Sequence, residues 1–555
     1  MADEEARGAP SRGRRRVLDY ALCTLAGTLT FLSFPTALAP DVTFFPLIWF
    51  SHVPLLWVLR DKAPRAAFGW GFFTGMVINT GGYYWIASLL KIFGGLPDWV
   101  ALLGLLLHSA WLAVMWGLWA WLLNRITNTT RLGIEWSAPL VMVAIEFAFP
   151  RIFPAYMGNS QYLFPPVMQV VDLFGITAVT FLVYRVNATL YLWLRALRDD
   201  RPRPHRVTIA TAVMVAGSLI YGGVRMSQFD ARAEAAEKLK IGLVEGDVGI
   251  FLTETREKRD NHLLINQQLS AQAEAEGAEL IVWSESAFRA RQLLRSATRF
   301  LPSELPLVRD AASDRANNTP IEDRLTPIRG FHTPLMFGST SVEPDTEPRW
   351  KGDKNYLPRN TAWLLDADGN VVGAYDKVFL LAFGEYVPFA KYIPWIYDVI
   401  KAAGSLEPGT KLNLIEADLW GKGPIKFGML ICYEGILPEF TRKIGGQHPH
   451  LLVNLTNDDW FGKTAERYLH FALTVPRAIE HRVAFVRGTL TGVSAFVDPV
   501  GRIVAQTSPS EPETLVRSVP LLQSATVYQL IGDAFSWICL VLTLGYYVHG
   551  RWRRR

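Results

Sequence analysis

The sequence predicts two structural classes in one chain, a multi-pass α-helical membrane bundle of eight spans and an α/β layered domain exposed to water. Three observations predict this. Half of the 555 residues are apolar and only 19% are charged, a balance that leans towards membrane rather than cytosol. Apolar runs of roughly 20 residues, the length that crosses about 30 Å of hydrocarbon at about 1.5 Å per residue, recur through the first part of the chain and once near its end. Between the last two of these runs, over residues 238–522, the pattern changes to short apolar stretches separated by Gly, Pro and acidic clusters.

In chain order, residues 1–16 form a basic N-terminus. Seven apolar runs then fill residues 17–223, at Val17–Pro35, Thr43–Leu59, Ala66–Leu90, Trp99–Leu123, Gly133–Pro150, Val167–Leu194 and Val207–Gly223. The eighth is Val527–His549, followed by the basic tail 550–555. The first run follows arginines as a signal peptide would, but it lacks a small-residue cleavage pattern and more spans follow at once, so it is read as a retained helix. Arginines mark the sides. With the N-terminus inside, the inside segments hold Arg12, Arg14, Arg15 and Arg16, then Arg60, Lys62 and Arg65, then Arg125 and Arg131, then Arg195, Arg198, Arg201, Arg203 and Arg206, whereas the short outside loops offer Lys91 and Arg151. Short cytoplasmic loops collect such cations. Seven crossings put everything after Gly223 outside the cytoplasm, and the eighth returns the tail to the inside.

Within 238–522, KIGLVEG, ELIVWSES, PLMFGST, TAWLLDADGNVVGAYDK, IKFGMLICYE, HLLVNLTND, AFVRGTLTGVSAFVDPVGRIV and ETLVRSVP read as strands, and Arg256–Glu276 and Ala465–Arg482 as helices. Their alternation implies layers of sheet and helix. DADGNV and DPVGR carry the glycine chemistry of tight turns. Residues 289–329 fit neither period and read as an insertion or lid loop.

The formal charge of +5 is explained by arginines in loops and tails. No basic face suited to nucleic acid is evident. Three cysteines, Cys23, Cys432 and Cys539, lie far apart, so neither a disulfide framework nor a metal-binding spacing is present, and no residue set calls for a cofactor.

Cys432 ends the apolar run FGMLIC and precedes a turn, where a thiol is placed to attack; the alternative is a small core residue. Glu285, in IVWSESAF, ends another apolar run, and a carboxylate beside apolar walls makes a proton acceptor; the alternative is a solvated strand end. Lys377, in GAYDKVFLLAFGEYVPF, precedes a stretch too apolar for an ordinary loop; the alternative is a surface lysine paired to Asp376.

Together these three residues resemble the Glu–Lys–Cys constellation of the nitrilase superfamily. Asn360-Thr361 followed by Gly369, Tyr375 and Lys377 is similar to the segment before that superfamily's lysine. With the apolar spans, the resemblance narrows to the apolipoprotein N-acyltransferase family, carried by FGEYVPF, CYEGILPEF, LLVNLTNDDWFG, PRAIEHR and VRGTLTGVSAFVDPVGR, and in the first part of the chain by GWGFFTG and by Glu146 through GNSQY. The sequence departs from the family pattern at Phe379, where a histidine is usual, at Leu469, where a glutamine precedes the histidine, and in the length of the segment after Arg289.

The resemblance implies a nitrilase-like αββα sandwich on the periplasmic side of a bacterial inner membrane. It also implies a two-step reaction in which Cys432 takes a fatty acyl group from a phospholipid as a thioester and passes it to the N-terminal amine of a diacylglyceryl-modified lipoprotein. Glu285 would be the base and Lys377 the stabiliser of the oxyanion. Glu385 would orient Lys377, and Tyr433 and Glu434 would shape the site. Trp460 and Phe461 are either core anchors or the wall of an acyl groove, and His470 is structural rather than catalytic. The expected partners are the phospholipid donor, the lipoprotein acceptor and the bilayer, with no nucleic acid, no metal and no cofactor, and the expected state is a monomer. The competing reading is a membrane-tethered amidase that would use the same triad with water.

Overall fold

The computed structural model describes residues 12–38, 40–41, 43–247, 256–289, 293–294, 326–344, 356–388, 392, 406–508 and 511–553. Most of the 289–329 insertion lies outside the described residues. The chain divides into two compact units, residues 1–223 with 464–469 and 533–555, and residues 224–463 with 470–532.

The first unit is helical. Its longer helices are Arg12–Leu32, Pro64–Gly82, Asp98–Thr129, Ile134–Ala148, Thr177–Arg198 and Ala534–Trp552. Among the described residues two helices, Asp98–Thr129 and His205–Ala235, are long and apolar enough to cross a membrane. The second of these continues well beyond Gly223, where the apolar run ends.

Four of the expected spans are broken into pieces. Thr43–Leu59 becomes a short 3-10 turn, Phe45–Trp49, and the helix Val53–Leu59, each opening on a proline that supplies no N–H. Ala66–Leu90 breaks after Gly82 and restarts at Trp85. In Val167–Leu194, Gly175 at φ +73 ends one short helix before Thr177 starts the long one. In Val527–His549, Gly532 at φ +57 separates Val527–Ile531 from the helix that begins at Ala534.

The GWGFFTG segment packs its helix face directly on Asp98–Thr129. A Cβ on Gly71 would lie 2.4 Å from the Trp116 carbonyl oxygen, and one on Gly75 would lie 2.6 Å from the Trp116 ring. Two small residues four apart on one face are what lets helix backbones approach this closely. Cys23 and Cys539 are buried among these helices as free thiols.

The second unit holds two sheets. Its strands are β1 (Lys238–Glu245), β2 (Leu280–Val282), β3 (Leu293–Leu294), β4 (Leu335–Pro344), β5 (Tyr356–Leu365), β6 (Val371–Asp376), β7 (Ile415–Ala417), β8 (Ile425–Ile431), β9 (Leu451–Thr456), β10 (Ala484–Thr489), β11 (Ala495–Val497), β12 (Ile503–Gln506) and β13 (Glu513–Pro520). One sheet has the order β13-β1-β2-β4-β5-β6, with β3 paired to β4; the other has the order β12-β11-β10-β9-β8-β7. Strands β1, β2 and β4 run parallel, as do β8, β9 and β10.

Alternate residues of both sheets meet in one core. Leu239, Ile241, Leu243, Met336 and Leu364 come from the first sheet and Phe427, Met429, Leu451, Val453 and Val486 from the second. The period of two along a strand sends every other side chain there. The opposite face of the first sheet packs Trp283, Phe337 and Trp363 with Leu263 and Ala273 of the helix Arg256–Ala275. Helices Pro438–Gly445 and Pro476–His481 contact β8 and β10. Helix, sheet, sheet and helix thus stack as the αββα order expects.

The turns behave as their residues dictate. Asp366 accepts from the Asp368 and Asn370 N–H groups while Gly369 takes φ +80, closing the β5–β6 hairpin. The expected helix Ala465–Arg482 is two helices, Glu466–Thr474 and Pro476–His481. Pro476 cannot donate the hydrogen bond that would join them.

Candidate active site

Glu285, Lys377 and Cys432 each follow the end of a strand, and the structure brings all three into one buried pocket of the second unit. Glu285 stands three residues beyond β2, in a turn where Ser286 adopts φ +54. Gly338 of β4 makes room for it, since a Cβ there would lie 2.8 Å from the Glu285 Cα. Lys377 is the first residue after β6 and is tied by its N–H to the Asn360 carbonyl at 2.8 Å. Cys432 directly follows β8 and opens a 3-10 turn with φ +51, a left-handed conformation that L side chains adopt at a cost.

The Lys377 ammonium lies 2.8 Å from Glu385 Oε1 and 3.6 Å from Glu285 Oε1. Its side chain is 1% exposed, so it is not the surface lysine that its sequence also allowed; Asp376 instead accepts from the Thr361 hydroxyl. Glu285 Oε1 also accepts from Asn360 Nδ2 at 2.5 Å. Its Oε2 is buried without a hydrogen-bond partner, and the Cys432 thiol is among the groups that act on the carboxylate.

Electrostatics follow from burial and neighbours. Burial raises the Glu285 pKa and Glu385 adds to this, while Lys377, Asn360 and the thiol offset part of it; the net direction is up. For Lys377, burial acts to lower the pKa, but Glu385 and Glu285 outweigh it and hold the ammonium above its usual range. Burial and the Glu285 charge push the Cys432 thiol up to about 12, with Lys377 pulling the other way. At neutral pH the sulfur therefore rests as a thiol beside a carboxylate whose affinity for protons is raised, a pair arranged for proton transfer.

Glu434 and Glu385 hold the frame. Glu434 is fully buried and accepts from Ile431 N at 2.8 Å, Val378 N at 2.7 Å, Phe379 N at 3.0 Å and the Tyr375 hydroxyl. One side chain thus binds the residue before Cys432 to the residue after Lys377. Burial pushes its pKa up to about 7, against the backbone N–H groups that favour its charge. Glu385 Oε2 accepts from Leu381 N at 2.8 Å, closing the apolar loop that follows Lys377.

Tyr433 is buried beside Phe379, with ring centroids 5.9 Å apart, and Phe379 also meets Phe440 edge-on. Phe379 thus fills with an aromatic ring the position where the sequence departs from its family pattern. Phe461 is 5% exposed against the His470 ring, and Trp460 is 36% exposed. His470 is buried on its helix with Nδ1 2.7 Å from Asp458 Oδ1. Burial lowers its pKa despite Asp458, and Arg487 and His470 hold Asp458 down to about 2 against its burial.

Sequence reasoning did not assign Asn360, Thr456, Asn454 or Arg487 to this region. Asn360 touches both Glu285 and Glu385, and its place in the Asn360-Thr361 pair ahead of Lys377 was the available signal. Among the described residues no group of three or more His, Cys, Asp and Glu is placed to hold a metal ion.

Comparison with known proteins gives the same two parts. Residues 26–189 match the apolipoprotein N-acyltransferase N-terminal domain, and residues 252–529 match the carbon–nitrogen hydrolase family. The apolipoprotein N-acyltransferase of Geobacter metallireducens is 32% identical over 530 residues, covering 94% of this chain and 93% of its own. That of Bdellovibrio bacteriovorus is 26% identical, covering 96% and 94%. Among solved structures, an amidase of the nitrilase superfamily from Nesterenkonia AN1 is similar with a TM-score of 0.34 and 20% identity, covering 54% of this chain and 95% of its own. A chain that carries both domains and is this similar to a relative over nearly its full length belongs to the apolipoprotein N-acyltransferase family and is an N-acyltransferase.

Proposed function

We propose that the protein completes lipoprotein acylation by a two-step transfer through Cys432, with a membrane phospholipid as donor and the N-terminal amine of a diacylglyceryl-cysteine as acceptor. The observation that carries this reading is the shared pocket, in which the Glu285 carboxylate neighbours the Cys432 thiol and lies 3.6 Å from the Lys377 ammonium.

In the first step Glu285 removes the thiol proton and the sulfur attacks the ester carbonyl of the phospholipid. A thiol raised to about 12 does not ionise on its own at neutral pH, so this base is required. The carbonyl oxygen becomes an oxyanion beside Lys377, where a fixed cation in a dry site contributes about 3 kcal/mol. The C–O bond breaks, the lysophospholipid oxygen takes the proton from Glu285, and the acyl group remains on sulfur. In the second step the acceptor amine attacks the thioester, the C–S bond breaks and the amine proton returns through Glu285 to the sulfur. An amide is more stable than a thioester, so the transfer runs downhill.

The buried Glu385–Lys377 pair keeps the ammonium in place through both steps. Tyr433 and Phe379 offer an aromatic wall beside the nucleophile, and Trp460 with Phe461 is a second candidate surface for acyl chains. We place the protein in a bacterial inner membrane as a multi-pass monomer with residues 238–522 on the periplasmic side, a reading supported by the distribution of arginines and by the two long apolar helices.

The experiment is incubation of the purified protein with phospholipid labelled in its acyl chain and a diacylated lipopeptide. Label on the lipopeptide amine is the expected result. Label appearing only as free fatty acid would support the hydrolytic alternative instead.

A further inference from the structure

The chemistry above leaves unused a buried polar cluster on the strands beside the nucleophile. Strands β8, β9 and β10 run parallel, and their register sets Leu430, Asn454 and Arg487 side by side. Asn454 and Thr456, two residues apart on β9, share one face. Asn454, Thr456, Asp458 and Arg487 are fully buried, and His470 is nearly so.

The hydrogen bonds form a chain that ends on Cys432. Arg487 Nη2 donates to Asp458 Oδ2 at 2.7 Å and Nη1 donates to Asn454 Oδ1 at 2.9 Å. With its oxygen so engaged, the Asn454 amide presents Nδ2 to the nucleophile's strand, where it donates to the carbonyls of Leu430 at 3.1 Å and Cys432 at 3.3 Å. The Thr456 hydroxyl donates to Asp458 Oδ1 at 3.4 Å, and the pairing of Ile431 with Leu455 sets Thr456 alongside Cys432. A bond of 3.4 Å is weak, so the hydroxyl can turn to a sulfur that has become negative.

A buried ion pair adds little net stability over apolar packing of the same volume. What this pair does is fix one amide beside a residue held at φ +51. A left-handed backbone at a side-chain-bearing residue persists only where its surroundings over-determine it.

We infer that Asn454 and Thr456 are positioning residues for Cys432, Asn454 holding the main chain of its turn and Thr456 holding its sulfur, with both locked by the buried Arg487–Asp458–His470 cluster. The inference rests on the reading of Cys432 as the acyl-carrying nucleophile. Neither residue touches the transferred acyl group; each acts through Cys432.

The test uses the full chain with acyl-labelled phospholipid. It follows the acyl adduct on the Cys432 peptide by mass, and separately the pH dependence of Cys432 alkylation by iodoacetamide. Thr456→Val removes the hydroxyl while keeping the branched shape. It is expected to slow acylation about tenfold, the value of one hydrogen bond, and to move the alkylation profile to higher pH, with an unchanged melting temperature. Thr456→Ser is expected to return both towards wild type. Asn454→Asp, which keeps the Arg487 contact and removes the donor to the Cys432 carbonyl, is expected to slow acylation as well. Wild-type acylation and an unmoved alkylation profile in Thr456→Val, or failure of Thr456→Ser to restore them, would overturn the inference. A wild-type protein that forms no adduct at Cys432 would overturn the nucleophile reading itself, and the inference with it.

Discussion

Replacing Glu434 by glutamine separates the two halves of the site while changing hardly any volume. The carboxylate now accepts from three backbone N–H groups and one phenol, with Oε1 serving Val378 and Phe379 and Oε2 serving Ile431. A glutamine can keep its oxygen on Val378 and Phe379, but its NH2 then faces the Ile431 N–H, and two donors cannot pair. Tyr375 can turn to accept from the new amide, so the orphan is Ile431. An unsatisfied buried donor costs about 1–3 kcal/mol, and the loss of charge assistance on the remaining two bonds costs about 1 kcal/mol more. Destabilisation of roughly 2–4 kcal/mol should therefore appear as a lower melting temperature of the catalytic unit. Because Ile431 precedes Cys432 and Val378 follows Lys377, the geometry of transfer should suffer too, and acylation should fall by at least about tenfold. The assays are thermal unfolding and the rate of label transfer to a lipopeptide. A Glu434→Gln protein that melts and transfers like wild type would refute the clamp.

Three other outcomes follow from the same geometry. The rate of Cys432 acylation should fall with decreasing pH through a limb set by Glu285, because only the ionised carboxylate accepts the thiol proton; since its pKa is raised, that limb lies above the ordinary glutamate value of about 4.3. A rate that stays flat down to pH 4 would refute Glu285 as base, and Glu285→Gln should abolish acylation while the protein still binds phospholipid. Lys377→Met removes the ammonium proposed to stabilise the oxyanion and should cost roughly 100-fold in transfer rate, measured under single-turnover conditions. Gly71→Leu puts a side chain where a Cβ already lies 2.4 Å from the Trp116 carbonyl, so the helical unit should lose thermal stability, whereas Gly69→Ala, with open space around it, should not.

How much was legible in advance depended on how locally each feature is encoded. Glu285 and Cys432 stood out because each sits where an apolar run stops, a place a sequence can mark, and Lys377 because it precedes a stretch too apolar for an ordinary loop. Their convergence came from the resemblance rather than from spacing. Asn454 and Thr456 were hidden by their own alternation. In LLVNLT the two polar residues are two positions apart, as they would be on a wet face, yet that face is covered and every residue of β9 is buried. Arg487 likewise reads as an exposed strand cation until its partners Asn454 and Asp458, far away in the chain, are seen beside it. Glu434 is marked in the sequence only as a neighbour of Cys432, because its partners Tyr375, Val378 and Phe379 come from β6 and the loop that follows it. In the helical unit, hydropathy marked where apolar chain lies but not where it breaks. Gly175 and Gly532 interrupt helices through positive φ, which hydropathy does not register.

The most direct test of the account is the intact mass of the protein after brief exposure to phospholipid with no acceptor present, followed by digestion to locate the adduct. One fatty acyl unit on the peptide containing Cys432, sensitive to hydroxylamine, absent from Cys432→Ala and unaffected by Cys23→Ala or Cys539→Ala, is the predicted result. An acyl group found on another residue, or full transfer activity in Cys432→Ala, would contradict it.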